Sequence, residues 1–466
     1  MKYVSTRGQV EPIDFQRAVL MGLADDGGLL IPESIPDVRD RLDAWRGLGY
    51  AELAFEVIRR FATDVPADDL RGLIDRAYSP EAFGPDPAPT VSVGDLFVLE
   101  LFHGPTLAFK DIALQLLGNV FEYVLARTGG VLNVLGATSG DTGSAAICGV
   151  RGRRGIRIFV MHPHGNVSPI QERQMTTVLD DNVHNLAVLG SFDDCQGIMK
   201  ALAGDLAFKR RYSLGAVNSV NWARVLAQIV YYFKAVFDVQ RATGAKAVRV
   251  CVPTGNFGDI LAGWYALKMG APISQLILAT NRNDILARFF NTGEYALGEV
   301  WKTMSPSMDI QVASNFERYL YYRIGADAAR LRELMAGFAR THRLVVETLD
   351  GKPVDPQIVS DSADEDQTLD TIRTVHAEND YLLDPHTAVG VSVARRLRDA
   401  SDEPVVCLAT AHPAKFPAAI ERATGKDLAH HPDIDKLLAL ETRCTVVAND
   451  PDVVRRFLVE TIGPGQ

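Results

Sequence analysis

Lys110 is the side chain best placed to do chemistry in this sequence. It follows the apolar stretch Leu107–Phe109 and opens a pattern of apolar residues that predicts a long helix through Leu114, Leu117 and Phe121. An amine in apolar surroundings at a helix start loses hydration and faces the like-signed end of the helix dipole, so its pKa should fall. A partly neutral lysine can form a Schiff base, although a surface lysine whose stem covers apolar area gives the same local pattern.

Small, glycine-rich turns follow several apolar runs that are typical of strands. The run Val131–Leu135 precedes the letters GATSGDTG, the run Val248–Val252 precedes PTGNFGD, and the run Val405–Ala409 precedes Thr410. A turn from a strand into a helix offers unpaired backbone N–H groups and a positive helix end, which suit phosphate or carboxylate. Either glycine turn could instead be a tight connection without a ligand, and neither has the spacing of a dinucleotide site or a phosphate-binding P-loop.

Composition narrows the class of protein. The chain has 466 residues with a formal net charge of −10, which argues against a general nucleic-acid binder or a basic membrane-surface protein. Its five cysteines are scattered without metal-ligand spacing, so neither a disulfide framework nor a metal site is predicted. No apolar run is long enough to span a membrane and the first residues do not resemble a targeting signal, so we expect a cytoplasmic enzyme.

The elements that must position these residues belong to the α/β class. Residues 1 to about 90 read as mostly helical, with apolar residues at helical spacing over Tyr50–Ile58. Beyond a proline-rich stretch, uniformly apolar strands alternate with helices, which predicts parallel sheets covered on both faces. Besides the runs above, Phe97–Leu101, Ile156–Val160 and Leu276–Ala279 are predicted strands. Ligands bind such sheets at the carboxyl ends of the strands, where the glycine turns lie.

Pyridoxal phosphate is the cofactor that would use all of these parts together. It needs a lysine for its aldehyde, a glycine-lined helix start for its phosphate, and a group facing its ring nitrogen. Lys110, the turn Gly255–Asp259 and Thr410 would supply them, and the turn 138–143 would hold the carboxylate of an amino-acid substrate. No single part is decisive; their occurrence together at strand ends favours this cofactor.

Motifs over nearly the whole chain carry a family resemblance. The chain resembles the threonine synthases of the longer bacterial and fungal type, within the fold-type II pyridoxal phosphate enzymes. The motifs that carry it are YVSTRG (3–8), HGPTLAFKD (103–111), SGDTG (139–143), NSVNWAR (218–224), GNFGD (255–259), SNFER (314–318) and DPHTAVG (384–390).

The resemblance implies an α/β fold like that of the tryptophan synthase β subunit, with an inserted domain. We expect a mostly helical N-terminal domain over residues 1–95 and a large cofactor domain with a parallel sheet over 96–130 and 215–466. A smaller α/β domain over 131–214 should carry the substrate carboxylate loop. Two anion loops on opposite sides of a cleft would let the substrate draw the domains together.

The resemblance also implies a reaction, in which O-phospho-L-homoserine and water give L-threonine and phosphate in the last step of threonine biosynthesis. This chemistry is that of a carbon–oxygen lyase acting on phosphates. Lys110 would carry the cofactor and move protons. The implied cofactor-binding residues are Lys110, Gly255, Asn256, Phe257, Gly258, Asp259 and Thr410. The implied substrate-binding residues are Thr138, Ser139, Gly140, Asp141, Thr142, Asn221, Arg224 and Arg318.

Two of these residues are candidates for the clamp on the departing phosphate. Arg224 and Arg318 both lie in motifs that carry the resemblance, and a guanidinium can bind two phosphate oxygens at once. Either arginine could instead form a structural ion pair. The role of Asp141 is also open, because other fold-type II enzymes often have asparagine there.

Two alternatives remain open at the level of the sequence. The first is another fold-type II lyase or dehydratase that acts on a phosphorylated or hydroxylated amino acid. The second is a binding or regulatory protein on an α/β scaffold without the cofactor, which Lys110 together with Gly255–Asp259 disfavours. The sequence does not decide between a monomer and a dimer.

Overall fold

The computed structural model describes residues 1–138, 140–215, 217–348, 354–398 and 403–463. Within these residues the strands are β1 Tyr3–Ser5, β2 Leu30–Pro32, β3 Thr90–Val93, β4 Leu96–Glu100, β5 Leu132–Ala137, β6 Ile156–Pro163, β7 Val183–Leu189, β8 Leu214–Gly215, β9 Val248–Pro253, β10 Ile273–Thr280, β11 Glu294–Ala296, β12 Arg343–Val345, β13 Ile358–Ser362, β14 Val405–Ala409 and β15 Thr445–Ala448.

Helices connect and cover these strands. They are α1 Phe15–Met21, α2 Leu42–Trp45, α3 Tyr50–Ile58, α4 Ala67–Ala77, α5 Pro80–Phe83, α6 Lys110–Thr128, α7 Asp141–Val150, α8 Pro169–Thr176, α9 Phe192–Gly204, α10 Leu206–Arg211, α11 Trp222–Thr243, α12 Gly258–Met269, α13 Ile285–Thr292, α14 Phe316–Arg323, α15 Ala328–Thr341, α16 Glu365–Asn379, α17 Pro385–Arg396, α18 Pro417–Thr424, α19 Pro432–Leu437 and α20 Pro451–Ile462. Over the described residues, no helix combines the length and apolar character that crossing a membrane requires.

The larger sheet is the predicted parallel sheet of the α/β class. Its strands follow the order β13–β10–β9–β14–β4–β3, and only the edge strand β3 runs antiparallel to its neighbour. Val250 and Val252 of β9 pack into one hydrophobic cluster and Cys251 between them packs into another. Both faces of the sheet are therefore buried, which explains why its inner strands β4, β9 and β14 are mostly apolar.

A second parallel sheet is separate from the first. It has the order β15–β7–β6–β5–β8 within the described residues. Four of its strands come from the segment 131–215, close to the predicted small domain. The fifth strand, β15, comes from the C-terminal part of the chain, and Val454 and Leu458 of α20 join the same hydrophobic cluster as β7. The assignment of all residues from 215 to 466 to the large domain is therefore wrong for 445–462.

All six strands named from the sequence are present, with ends that differ by at most three residues from the predicted ones. The predicted helix Tyr50–Ile58 is α3, which packs on α11 and α4. The N-terminal boundary at 95 needs a correction, because β3 already pairs with β4 in the large sheet. The other domain limits stay predictions.

Two glycines set the distance between helices α6 and α7. A Cβ atom added to Gly118 of α6 would lie 1.9 Å from the carbonyl oxygen of Gly149 in α7. One added to Gly149 would lie 2.5 Å from the carbonyl oxygen of Leu114. Backbone therefore touches backbone at this crossing, and no larger residue fits without moving a helix.

We predict that Gly118→Ala destabilises the protein. The gain in helix propensity of about 1 kcal/mol is outweighed by overpacking, which typically costs about 1–3 kcal/mol and more against rigid backbone. The matched control is Gly197→Ala in the exposed part of α9, where a Cβ meets nothing within 4 Å. Urea unfolding should show a lower midpoint for Gly118→Ala and an equal or higher one for Gly197→Ala. Equal midpoints for the two variants would contradict the close contact.

Candidate functional site

Lys110 is the first residue of α6 and its side chain is buried. Its Nζ lies 3.4 Å from Oδ2 of Asp141, the first residue of α7. Burial lowers the pKa of Lys110, the carboxylate of Asp141 opposes this shift, and the positive charges of Lys415 and Arg224 add to it. The predicted direction of the pKa shift is confirmed, with neighbouring cations as a cause that the sequence did not show.

Asp141 is held between two lysines. Its Oδ1 accepts hydrogen bonds from Lys415 Nζ at 2.8 Å and from Gln171 Nε2 at 2.7 Å, while Oδ2 faces Lys110. Burial alone would raise the pKa of Asp141, but the charges of Lys415 and Lys110 hold it well below its usual range. Asp141 is therefore ionised, and its negative charge lies between the two lysine ammonium groups.

Arg224 lies in the first turn of α11 and is buried, and no carboxylate of the described residues pairs with it. Its Nε and Nη1 atoms have no hydrogen-bond partner among the described residues. Burial lowers the pKa of Arg224 to about 10, so it stays charged. A buried guanidinium with unused donors is costly unless an anion occupies its fork, and this makes Arg224 the strongest anion-binding candidate in the described part of the chain.

Arg318 is equally buried but its donors are already used. Its Nε and Nη2 bind the carbonyl of Leu30, Nη2 also binds the carbonyl of Val220, and Nη1 binds Oδ1 of Asn315. These contacts tie strand β2 near the N-terminus to α14 and to the start of α11. They give Arg318 a structural role, and its predicted role in substrate binding stays an untested prediction.

Asn221 also has a structural role. It is the N-cap of α11, where its Oδ1 accepts a hydrogen bond from the backbone N–H of Ala223, and its Nδ2 donates to the carbonyl of Val19 at 2.8 Å. Both ends of the amide are thus committed and the residue is fully buried. These contacts do not involve a substrate, so the predicted role of Asn221 in substrate binding stays an untested prediction.

The turn between β9 and α12 has the form of an anion cradle. Phe257 adopts the left-handed conformation with φ of 62°, and Asn256 and the neighbouring glycines remain wholly or partly exposed. A Cβ added to Gly255 would lie 2.6 Å from the carbonyl oxygen of Ser307, so glycine is required there. The loop therefore presents accessible backbone at the start of a twelve-residue helix, which suits a phosphate.

Asp259 differs from the rest of this cradle. Its Oδ1 accepts hydrogen bonds from the hydroxyls of Tyr231 and Tyr232, and burial raises its pKa to about 6. The carboxyl group is thus held by α11, away from solvent. Of Asp259, only the backbone N–H remains suited to the predicted cofactor-binding role.

Thr410 follows β14 and is supported by a buried hydrogen-bond chain. Its backbone N–H donates to the hydroxyl of Thr387, and that hydroxyl donates to Asp384. The other oxygen of Asp384 contacts Nδ1 of His386, whose Nε2 accepts from the backbone N–H of Ser307. The carbonyl of Thr410 accepts from the backbone N–H of Phe109, which fixes Thr410 beside Lys110.

The predicted carboxylate loop lies at the start of α7. The hydroxyl of Thr138 accepts hydrogen bonds from the N–H groups of Gly140 and Gly143, both at 3.1 Å, so it shapes the loop. Thr142 is half-buried. Ser139 lies outside the described residues.

Sequence reasoning missed Lys415 and Gln171, which both bind Asp141. Lys415 lies in the turn His412–Phe416 that follows Thr410, and its side chain is completely buried. A lysine so close to a predicted cofactor residue was the only available signal.

These features fit pyridoxal phosphate: a buried amine at Lys110, an exposed backbone cradle at 255–258, and an unpartnered cation at Arg224. A family model described as "Pyridoxal-phosphate dependent enzyme" matches residues 87–355. The chain is thus a fold-type II pyridoxal phosphate enzyme. Models described as "Threonine synthase N terminus" and "Threonine synthase, C-terminal" match residues 2–78 and 387–458. The chain belongs to the threonine synthase family.

Relatives and solved structures agree with this assignment. The chain is 48% identical to the threonine synthase of Pseudomonas aeruginosa, with 98% of each chain covered. A crystal structure of pyridoxal-phosphate-bound threonine synthase from Brucella melitensis is similar with a TM-score of 0.94, 45% identity and 99% of each chain covered. The yeast threonine synthase structure has a TM-score of 0.93 and 40% identity, covering 99% of this chain and 98% of that one.

The two buried arginines lead to opposite predictions for stability. Arg318→Met leaves several buried carbonyl groups without donors and should lower the free energy of unfolding by at least ~3 kcal/mol. Arg224→Met removes a buried charge without a partner among the described residues. The free energy of unfolding should therefore stay unchanged or rise by about 1–3 kcal/mol. Urea unfolding without added phosphate measures both. A large loss of stability in Arg224→Met would show that this guanidinium has a structural partner.

Proposed function

We propose that this chain converts O-phospho-L-homoserine and water into L-threonine and phosphate. The observation that carries the proposal is the buried Arg224, which has unused N–H donors and whose positive charge contributes to the lowered pKa of Lys110. A phosphomonoester carries about two negative charges at pH 7, and it would give this guanidinium the partner that the protein does not provide. The names of the relatives support the same reaction.

Three parts of the chain would hold the cofactor. Lys110 would bind its aldehyde, the backbone of Gly255–Gly258 its phosphate, and Thr410 would face its ring nitrogen. When bound, pyridoxal phosphate supplies an electron sink for negative charge that develops on the amino acid. A threonine hydroxyl is a weaker partner for the ring nitrogen than a carboxylate would be.

Lys110 would move the protons of the reaction. The Nζ of Lys110 would take the proton from Cα of the substrate and then one from Cβ. The Cγ–O bond would then break, and phosphate would leave with the bonding electrons. Water would add its hydroxyl to Cβ while its other proton goes to the phosphate, and protons returned to Cγ and Cα would complete L-threonine. A lysine with a lowered pKa suits this repeated exchange.

Arg224 and the loop at α7 would orient the two ends of the substrate. Arg224 would bind the phosphate before and after it leaves, and the start of α7 would bind the α-carboxylate through Gly140 and Thr142. The phosphate of the cofactor would be bound separately by 255–258, so that the two phosphates do not compete.

The second candidate is a lyase or dehydratase with a hydroxylated substrate. Such a substrate has no phosphate to occupy Arg224, and a buried cation without a partner would then be a cost without a benefit. The structure therefore favours a phosphorylated substrate.

The compartment and partners follow from the proposed reaction. We propose a cytoplasmic enzyme that acts on a free amino acid, with no nucleic-acid partner. Whether it works as a monomer or a dimer is tested by light scattering of the purified protein.

The direct test is incubation of the purified protein with O-phospho-L-homoserine while phosphate and threonine are measured together. Equal molar amounts of both products are expected. Phosphate without threonine would indicate a lyase that does not add water at Cβ, and it would overturn the proposal.

Arg224→Met should lower kcat/KM for O-phospho-L-homoserine. Each lost charge-assisted hydrogen bond is worth about 1.5–3 kcal/mol, which corresponds to roughly 10- to 150-fold. The absorption spectrum of the bound cofactor should stay unchanged, because 255–258 hold its phosphate. The matched control is Arg343→Met, which removes an exposed arginine paired with Glu294 and should keep full activity. Wild-type efficiency in Arg224→Met would place the clamp elsewhere.

A further inference from the structure

Lys415 is a second buried lysine directly behind the candidate site. Its side chain is completely inaccessible, and its Nζ makes a 2.8 Å ion pair with Oδ1 of Asp141 and a 2.7 Å hydrogen bond to the carbonyl of Thr106. Burying an ammonium group costs several kcal/mol unless it is well paired. The burial of this ammonium group is therefore costly. Lys415 is not exposed to solvent, and it forms no hydrogen bond with Lys110.

Lys415 and Lys110 share one carboxylate. Each oxygen of Asp141 faces one of the two ammonium groups, and Gln171 adds a hydrogen bond on the side of Lys415. With Lys110 as its only partner, Asp141 would direct its whole charge toward that amine and bind its proton tightly. The contact with Lys415 draws charge to the other oxygen and fixes the carboxylate in place.

The titratable and charged groups around this trio come from several elements. The charge of Arg224 of α11 also acts on Lys110, and His386 of α17 is a titratable neighbour of Asp141. On the far side, Asp111 of α6 accepts hydrogen bonds from Thr106, the residue whose carbonyl binds Lys415. Of the charged groups, Lys415 is the one that contacts Asp141 directly on the side away from Lys110.

We infer that Lys415 is a positioning residue, which neutralises and orients Asp141 and thereby sets how tightly the Nζ of Lys110 holds a proton. This role deepens the proposed function and rests on it, because Lys110 is the residue that would carry the cofactor and move protons. Lys415 itself contacts no substrate in this assignment. It acts through Asp141.

The test is a pH titration of the visible absorption band of the full-length holoenzyme, with borohydride reduction and peptide mass mapping to assign the band to Lys110. Lys415→Met should raise the pH at which the Schiff base nitrogen loses its proton by about one to three units. The positive charge of Lys415 is lost, and the negative charge of Asp141 is then no longer shared with a second ammonium group. The double variant Asp141→Asn/Lys415→Met removes the opposing pair of charges and should titrate within about half a unit of the wild type.

Controls separate this role from a structural one. Lys436→Met, in the exposed turn of α19, should titrate as the wild type does. If Lys415→Met does not fold but the double variant folds and binds cofactor, the neutralising role is supported, since Lys415 is then needed only while Asp141 is charged. An unchanged titration in Lys415→Met, or failure of both variants to fold, overturns the inference. Failure of the proposed function would instead appear as absence of threonine with the wild-type protein, whatever the titrations show.

Discussion

The contact between the backbones of α6 and α7 is the constraint on which the site depends. Lys110 and Asp141 are the first residues of these two helices, and in each helix the contact glycine lies eight residues further along. At about 1.5 Å per residue, both side chains are therefore about 12 Å from the crossing, at the same level. Helix α6 follows a strand of the larger sheet and α7 follows a strand of the smaller sheet, and their contact holds the two helices so that a lysine and a carboxylate meet.

The site concentrates positive charge in the protein interior. Lys110, Lys415 and Arg224 are all buried, and Asp141 is the carboxylate that two of them share. Such an excess lowers the stability of the empty protein, because the desolvation of each cation is only partly compensated. It also provides the surplus that two anionic groups of a substrate require. The buried positive charge thus lowers the stability of the empty protein and favours the binding of anions.

The sequence predicted those features that depend on local pattern. The largely apolar strands β9 and β14 could be recognised because both faces of their sheet are covered, and Lys110 stood out because it opens a long helix. The sequence could not distinguish the roles of Arg224 and Arg318. Both arginines lie in family motifs and both are buried. Only the tertiary structure shows that Arg318 donates hydrogen bonds to the carbonyls of Leu30 and Val220.

Other differences between the predicted and the observed structure also come from contacts between segments that are distant in the sequence. The side chain of Asp259 is turned toward two tyrosines of α11, a contact between distant segments that a turn motif does not encode. Strand β15 is short and mostly exposed, so it lacks the apolar run that identifies a buried strand. Lys415 reads as an ordinary lysine until its neighbours in space are known.

The origin of β15 has a consequence for biosynthesis. The ribosome completes β5 to β8 early, but the strand that pairs with β7 is made only after the whole large domain. Throughout that interval the nascent small sheet exposes the open edge of β7, where unpaired backbone groups can recruit a strand from another chain. Within the described residues, closure of this sheet therefore has to follow the synthesis of β15, which comes last of its strands in the sequence.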